Sequence, residues 1–195
     1  MRKLIFQMVV SVDGYFEGPN REIDWHVVDA EFNEQAIELL ESVDTLLFGR
    51  VTYQLMADYW PSPDAVKNDP IITEKMNSLH KIVVSRTLKN ADWNNTTLIH
   101  DNVPEEILKL KQQDGKDIVV FGSSKLALAL MRHGLIDEYR FMVNPILLGK
   151  GNSVLQGAKG RLSLRLLKAR TFKSGNVLLI YQPAGRRGTA AKAIA

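Results

Sequence analysis

VVFGSSKLALALMRHGLIDEYRF, from Val119 to Phe141, sets the fold class. With Ile118 it opens on an apolar, β-branched run of strand length. It breaks at Gly122-Ser123-Ser124 and continues as a helix over 124–133 that is apolar nearly all round, through Leu126, Ala127, Leu128, Ala129, Leu130 and Met131. A second strand follows over 138–147. Strand, helix, strand with a tight first turn is the parallel crossover unit. Its Gly-Ser-Ser turn has two readings. It is either simple capping or a cradle in which a helix N-terminus faces a phosphate.

The rest of the chain repeats the unit. Residues 3–10 read as a buried strand, followed by a turn-rich loop, SVDGYFEGPNREIDWH. Residues 29–43 read as an amphipathic helix with Phe32, Ala36, Leu40 and Val43 on one face, four glutamates on the other, and Asp29 placed to cap it. A strand at 44–48 closes on Gly49-Arg50, and VTYQLMADYW reads as a helix ended by Pro61. Residues 61–70 read as polar loop, 71–78 as a short helix, 81–85 and 96–100 as strands, and 103–113 as a helix with Pro104 near its first position. The last part folds back on itself at Ser174-Gly175-Asn176. The expected architecture is α/β and three-layered: a mostly parallel central sheet, helices on both faces, and an antiparallel C-terminal hairpin. Residues 1–182 form the expected domain, and 183–195 a basic tail.

Composition removes several classes. The chain has no cysteine, which excludes disulfides, iron–sulfur clusters and thiol nucleophiles. Its four histidines, His26, His80, His100 and His133, show no metal-ligand spacing, so no metal is expected. The tail PAGRRGTAAKAIA carries Arg186, Arg187, Lys192 and no acid, which accounts for the whole net charge of +3. A neutral body with a basic tail is not the footprint of a nucleic-acid domain. No apolar run suits a membrane span or a secretory signal, so a cytoplasmic location is expected.

Three strand ends share one design: Gly49-Arg50-Val51-Thr52, Ser85-Arg86-Thr87 and Gly122-Ser123-Ser124-Lys125. In a parallel sheet they lie along one edge, where such sheets bind ligands. Glycine permits close approach, and the Ser, Thr and Arg side chains add donors. Neither GxGxxG after the first strand nor GxxxxGK[ST] is present, and Gly149-Lys150-Gly151 precedes no amphipathic helix. An arginine just after a strand, Arg86, suits a ribose 2′-phosphate and so favours NADPH over NADH.

SVDGYFEG, DTLLFGRVTY, VVSRT, VFGSSKLALALMRHGLIDEYRFMVNPILLGKG and the terminal strand pair together resemble the dihydrofolate-reductase-like superfamily. More narrowly, they resemble the reductase domain of bacterial riboflavin biosynthesis and its stand-alone relatives, over residues 1 to about 182. The resemblance implies an NADPH-dependent reductase acting on a pteridine- or pyrimidine-type heterocycle, such as 5-amino-6-(5-phosphoribosylamino)uracil. A dihydrofolate-reductase-like activity, or NADP(H) binding without turnover, are its alternatives. It implies that Gly49, Arg50 and Thr52 touch cofactor phosphates, that Ser85 and Arg86 hold the 2′-phosphate, and that Gly122, Ser123, Ser124, Lys125 and Leu126 wrap the pyrophosphate. Val10 would lie against the nicotinamide. The loop from Asp13 to Trp25 would cover the substrate, with Asp13, Trp25 and Asp29 facing it and the two carboxylates catalytic. A homodimer is expected, with the apolar helix at 124–133 available for the contact. The sequence departs from the family where Gly122-Ser123 replaces a Gly-Gly pair.

Overall fold

The computed structural model of the chain describes residues 1–154, 156–158 and 160–185. Arg186, Arg187 and Lys192 of the tail lie outside the described residues. Ten strands are present among them: β1 (Leu4–Ser11), β2 (Tyr15–Glu17), β3 (Val43–Gly49), β4 (His80–Val84), β5 (Thr96–Ile99), β6 (Asp117–Phe121), β7 (Glu138–Asn144), β8 (Asn152–Ser153), β9 (Leu164–Thr171) and β10 (Val177–Pro183). Six helices join them: α1 (Ala30–Ser42), α2 (Arg50–Tyr59), α3 (Pro63–Asn68), α4 (Pro70–Ser78), α5 (Val103–Gln112) and α6 (Ser124–Arg132).

Eight strands make one sheet in the order β5-β4-β3-β6-β1-β7-β10-β9. The pairs from β5 to β7 are parallel, and β10 is antiparallel to both β7 and β9. This is the expected three-layer α/β fold with its antiparallel end. The central strand β1 is buried on both faces. Leu4, Phe6, Met8 and Val10 point into a core shared with α5 and α6, and Ile5 points into a core shared with α1, α2 and α4.

Several local differences have clear causes. The strand expected over 138–147 stops at Asn144, because Pro145 has no N–H for the ladder. The polar stretch 61–70 contains α3: Ser62 accepts from Ala65 N–H at 3.2 Å, Pro63 takes the first helical position, and Ala65 is buried. The loop after β1 contains β2, which pairs with β8 as a separate two-stranded sheet. Strand β10 runs through Pro183, and Ala184 N–H donates to Ser163 O at 2.8 Å. The helix expected at a subunit contact spends Leu126, Ala127, Leu128 and Leu130 inside its own chain, leaving mainly Lys125, Ala129 and Arg132 exposed. No helix among the described residues is long and apolar enough to cross a membrane.

Two lysines are buried in unlike ways. Lys81 donates to the carbonyls of Met76, Asn77 and Leu79 at 3.1, 2.9 and 2.7 Å and lies 4.7 Å from the Trp93 ring centre. It closes the C-terminal end of α4, where a cation is favoured. Burial pushes its pKa down to about 8. Lys111 instead pairs with Asp137 and donates to Leu135 O at 2.8 Å, joining α5 to the start of β7. Substituting Lys111→Ala takes away the cation of a largely buried carboxylate, and the expected loss is about 3 kcal/mol in urea unfolding. A loss below ~1 kcal/mol would show that water already screens the pair.

Candidate active site

Adjacent strands β3 and β6 send their following helices to opposite faces. Tyr53 and Met56 of α2 join one core; Leu126, Ala127 and Leu130 of α6 join the other. The chain therefore leaves a crevice at the C-terminal ends of β3 and β6, the position where open α/β sheets bind ligands. Since β4 neighbours β3, the three strand ends singled out in the sequence are consecutive, within roughly 10 Å of one another at normal strand spacing.

The two helix N-termini at this crevice are joined by one hydroxyl. Gly49 N–H donates to Ser123 Oγ at 2.7 Å, and Ser123 O–H donates to Thr52 Oγ1 at 2.9 Å. Because Ser123 turns its side chain toward α2, it makes no capping bond to α6; Gly49, the N-cap of α2, has no side chain to give. Two uncapped N-termini thus open side by side, an arrangement that favours an anion. The geometry explains both glycines. Gly122 (φ +54°) precedes Ser123 (φ +57°), two consecutive left-handed residues that fold the turn back. At Gly49 the reason is proximity, since a Cβ there would lie 2.7 Å from Ser123 Oγ.

The other residues expected to hold a cofactor divide. Arg50 is exposed and bonds Gln54 at 3.0 Å. Arg86 is 85% exposed, with Asp101 3.8 Å away, so its guanidinium is available to an incoming anion. Ser85 is buried, and its hydroxyl accepts from Thr87 and Leu88 N–H at 3.2 and 2.9 Å. It shapes the turn that presents Arg86. Ser124 and exposed Lys125 open the first turn of α6, and Leu126 and Val10 are buried in the same core.

On the opposite side, the loop 12–28 crosses the ends of β1 and β7. Asp13 accepts from Ser11 O–H at 2.7 Å and from Leu148 and Gly149 N–H at 3.1 and 2.7 Å. These donors, Ser11 first, hold its carboxyl below the usual range. Asp29 caps α1 by accepting from Phe32 N–H at 2.8 Å, and that bond chiefly lowers its pKa too. Both are anions at neutral pH. Each of these two carboxylates, expected to be catalytic, holds local backbone: Asp13 a turn, and Asp29 the start of α1. Trp25 is half-buried, donates from Nε1 to Glu22 O at 3.2 Å, and meets His26 edge-on with ring centres 4.4 Å apart. No three His, Asp or Glu side chains gather as a metal site among the described residues.

Two buried residues were missed in the sequence: Asn144 and Asn176, which bind the loop backbone at Val27. Asn144 lies in the quoted NPILLGKG motif and Asn176 in the recognised turn, yet neither position by itself signals a partner.

Two outcomes follow from this geometry. Gly49→Ala is expected to cost about 2 kcal/mol by overpacking, and Gly49→Ala with Ser123→Ala to cost less than the two single changes added together, measured by denaturant unfolding. His26 is half-buried with its Nε2 inaccessible, and its pKa is pushed down to about 4, chiefly by burial. The unfolded chain binds this proton near pH 6.5, so stability falls as pH drops from 6.5 toward 4, by up to ~3 kcal/mol. His26→Gln should flatten that part of a pH–melting profile; an unchanged slope would assign it elsewhere.

A family model for the RibD C-terminal domain matches residues 2–178. The uncharacterized protein YyaP of Bacillus subtilis is 34% identical over 180 residues, covering 92% of this chain and 94% of that one. Among solved structures, a putative riboflavin biosynthesis protein from Shewanella sp. PV-4 superimposes with a TM-score of 0.72 at 22% identity, covering 93% of this chain and 98% of that one. A dihydrofolate reductase from Enterococcus faecalis, complexed with NADP(H), gives a TM-score of 0.64 at 14% identity, covering 93% and 96%. The match along almost the whole sheet, with the doubled helix N-termini at its switch point, makes this chain a member of the RibD C-terminal domain family with a dihydrofolate-reductase-like fold.

Proposed function

We propose that this chain is an NADPH-dependent reductase of a pteridine- or pyrimidine-type heterocycle, similar in activity to 5-amino-6-(5-phosphoribosylamino)uracil reductase. The observation that carries the reading is the pair of uncapped helix N-termini held together through Ser123. They fit a pyrophosphate: backbone N–H groups from two helices converge on one crevice without a side-chain cap to displace. When bound, NADPH supplies the hydride. Gly49, Arg50, Thr52 and Gly122 to Leu126 would hold its phosphates, Arg86 its 2′-phosphate, and Val10 would offer an apolar wall to the nicotinamide. Asp13 and Trp25 on the loop, with Asp29 at its end, would shape the substrate side. Since Asp13 and Asp29 are ionised, the proton that accompanies hydride transfer would come through water.

A second reading, NADP(H) binding without turnover, is favoured by one observation: both acidic residues of the substrate side are occupied with backbone donors. A dihydrofolate-reductase-like activity is the third.

Titration with NADPH and NADH tests the cofactor. NADPH should bind more tightly, and Arg86→Ala should weaken NADPH by about tenfold while leaving NADH unchanged. Equal binding of NADPH by wild type and Arg86→Ala would remove the 2′-phosphate role; no binding of either cofactor would remove the reading. Loss of NADPH absorbance with a ring-aminated ribosyl uracil, but not with dihydrofolate, would separate the substrates.

A further inference from the structure

We propose that Asn144 and Asn176 are positioning residues that hold Val27 by its N–H and its C=O, the two peptide groups that flank it, and fix the end of the loop that carries Trp25. The inference rests on the reading of loop 12–28 as the substrate cover.

The two side chains come from the end of β7 and from the β9–β10 turn, and they converge on one residue. Val27 N–H donates to Asn144 Oδ1 at 2.6 Å, and Asn176 Nδ2 donates to Val27 O at 2.9 Å. Both asparagines are completely buried. Burying a primary amide is costly unless it is hydrogen-bonded. Here each amide leaves half its capacity unused, since Asn144 Nδ2 and Asn176 Oδ1 have no partner. The bonds to Val27 are therefore what these two amides contribute in return for their burial. The loop has a rigid piece to grip. Trp25 is braced on His26 and on Glu22 O, so fixing Val27 fixes the Trp25–His26 pair beside it.

The hairpin tip carrying Asn176 makes a second attachment just beyond. Lys173 N–H donates to Glu31 Oε2 at 2.7 Å, on the first turn of α1. The outer part of the loop is different in character. Val12, Asp13, Pro19, Asn20, Arg21, Ile23 and Asp24 are exposed, and Asp13 is its polar tie to the 148–149 backbone. The loop thus has a buried root at Val27, a middle tied to β8 through β2 and Glu17, and a mostly exposed stretch over 19–24 between them.

The two grips use opposite atoms, so isosteric changes distinguish a hydrogen-bonding role from a packing role. Asn144 serves through its oxygen, and Asn144→Asp keeps that acceptor. Asn176 serves through its NH2 group, and Asn176→Asp loses the donor and faces a carbonyl instead. The readout is trypsin cleavage after Arg21, the one tryptic position within 12–28, scored against cleavage after exposed Lys89 in the same sample. Asn144→Ala, Asn176→Ala and Asn176→Asp should raise the Arg21 to Lys89 ratio by about tenfold, and Asn144→Asp should stay within about twofold of wild type. The proposal is overturned if the two Asp variants behave alike, or if every variant raises cleavage at both positions equally, which is the mark of general destabilisation. NADPH titration of the same proteins keeps the two readings apart. If wild type binds no NADPH, the reductase reading falls, while the cleavage ratios still decide the grip on Val27.

Discussion

The close contact of Gly49 with Ser123 is the constraint on which the candidate site depends. Two helices leave neighbouring strands on opposite faces of the sheet, so their N-termini would ordinarily diverge. One serine hydroxyl, accepting from the Gly49 peptide and donating to Thr52, holds them together. The bond needs a residue without a Cβ at position 49 and a left-handed turn at 122–123. A serine at φ +57° carries a conformational cost of order 1 kcal/mol. The two bonds it makes are of the size that offsets such strain. The strain and the uncapped helix ends occupy the same few residues, as is common where a fold meets its ligand.

The two sides of the crevice are built by different means. One side consists of strand ends and helix starts, fixed by a sheet buried on both faces. The opposite side is a loop held by polar ties to β7, to the segment after it and to the β9–β10 hairpin. The antiparallel end of the sheet therefore does more than complete the core. It brings Asn176 and Lys173 to the junction of the loop with α1. A platform of strand ends facing a loop held by side-chain ties lets one fold keep one side constant and vary the other.

Much of this was legible in the chain. Apolar β-branched runs such as Ile118–Phe121 and Leu4–Val10 identify strands buried on both faces, and their alternation with amphipathic segments gives the parallel sheet. Asp29 was readable as a cap, and the three glycine- or serine-marked strand ends were readable as one edge. Short elements were not: β2 and β8 have three and two residues and form only by meeting each other. The Ser123 bridge was hidden because its meaning lies in Gly49 and Thr52, distant in sequence. Asn144 and Asn176 were hidden likewise, since an asparagine beside a proline or in a turn looks ordinary until the loop it holds is placed. Asp13 and Asp29 show the reverse. Their position suggests chemistry, and their hydrogen bonds add a structural part that the sequence shows only for Asp29.

The strand order has a consequence for how the chain reaches this state. Strand β1, the most N-terminal, sits at the middle of the sheet between β6 and β7, whose partners for Leu4 and Ile5 are Ile118 and Glu138. During synthesis LIFQMVV waits without a neighbouring strand until more than a hundred further residues have emerged. Strands β3, β4 and β5 can pair among themselves earlier, three of the eight strands, before either neighbour of β1 exists. Loop closure over such distances is slow, and an apolar strand left unpaired meanwhile is exposed to pairing with other chains. The arrangement that puts β1 in the middle of the sheet thus also leaves both its edges uncovered until β6 and β7 have been made.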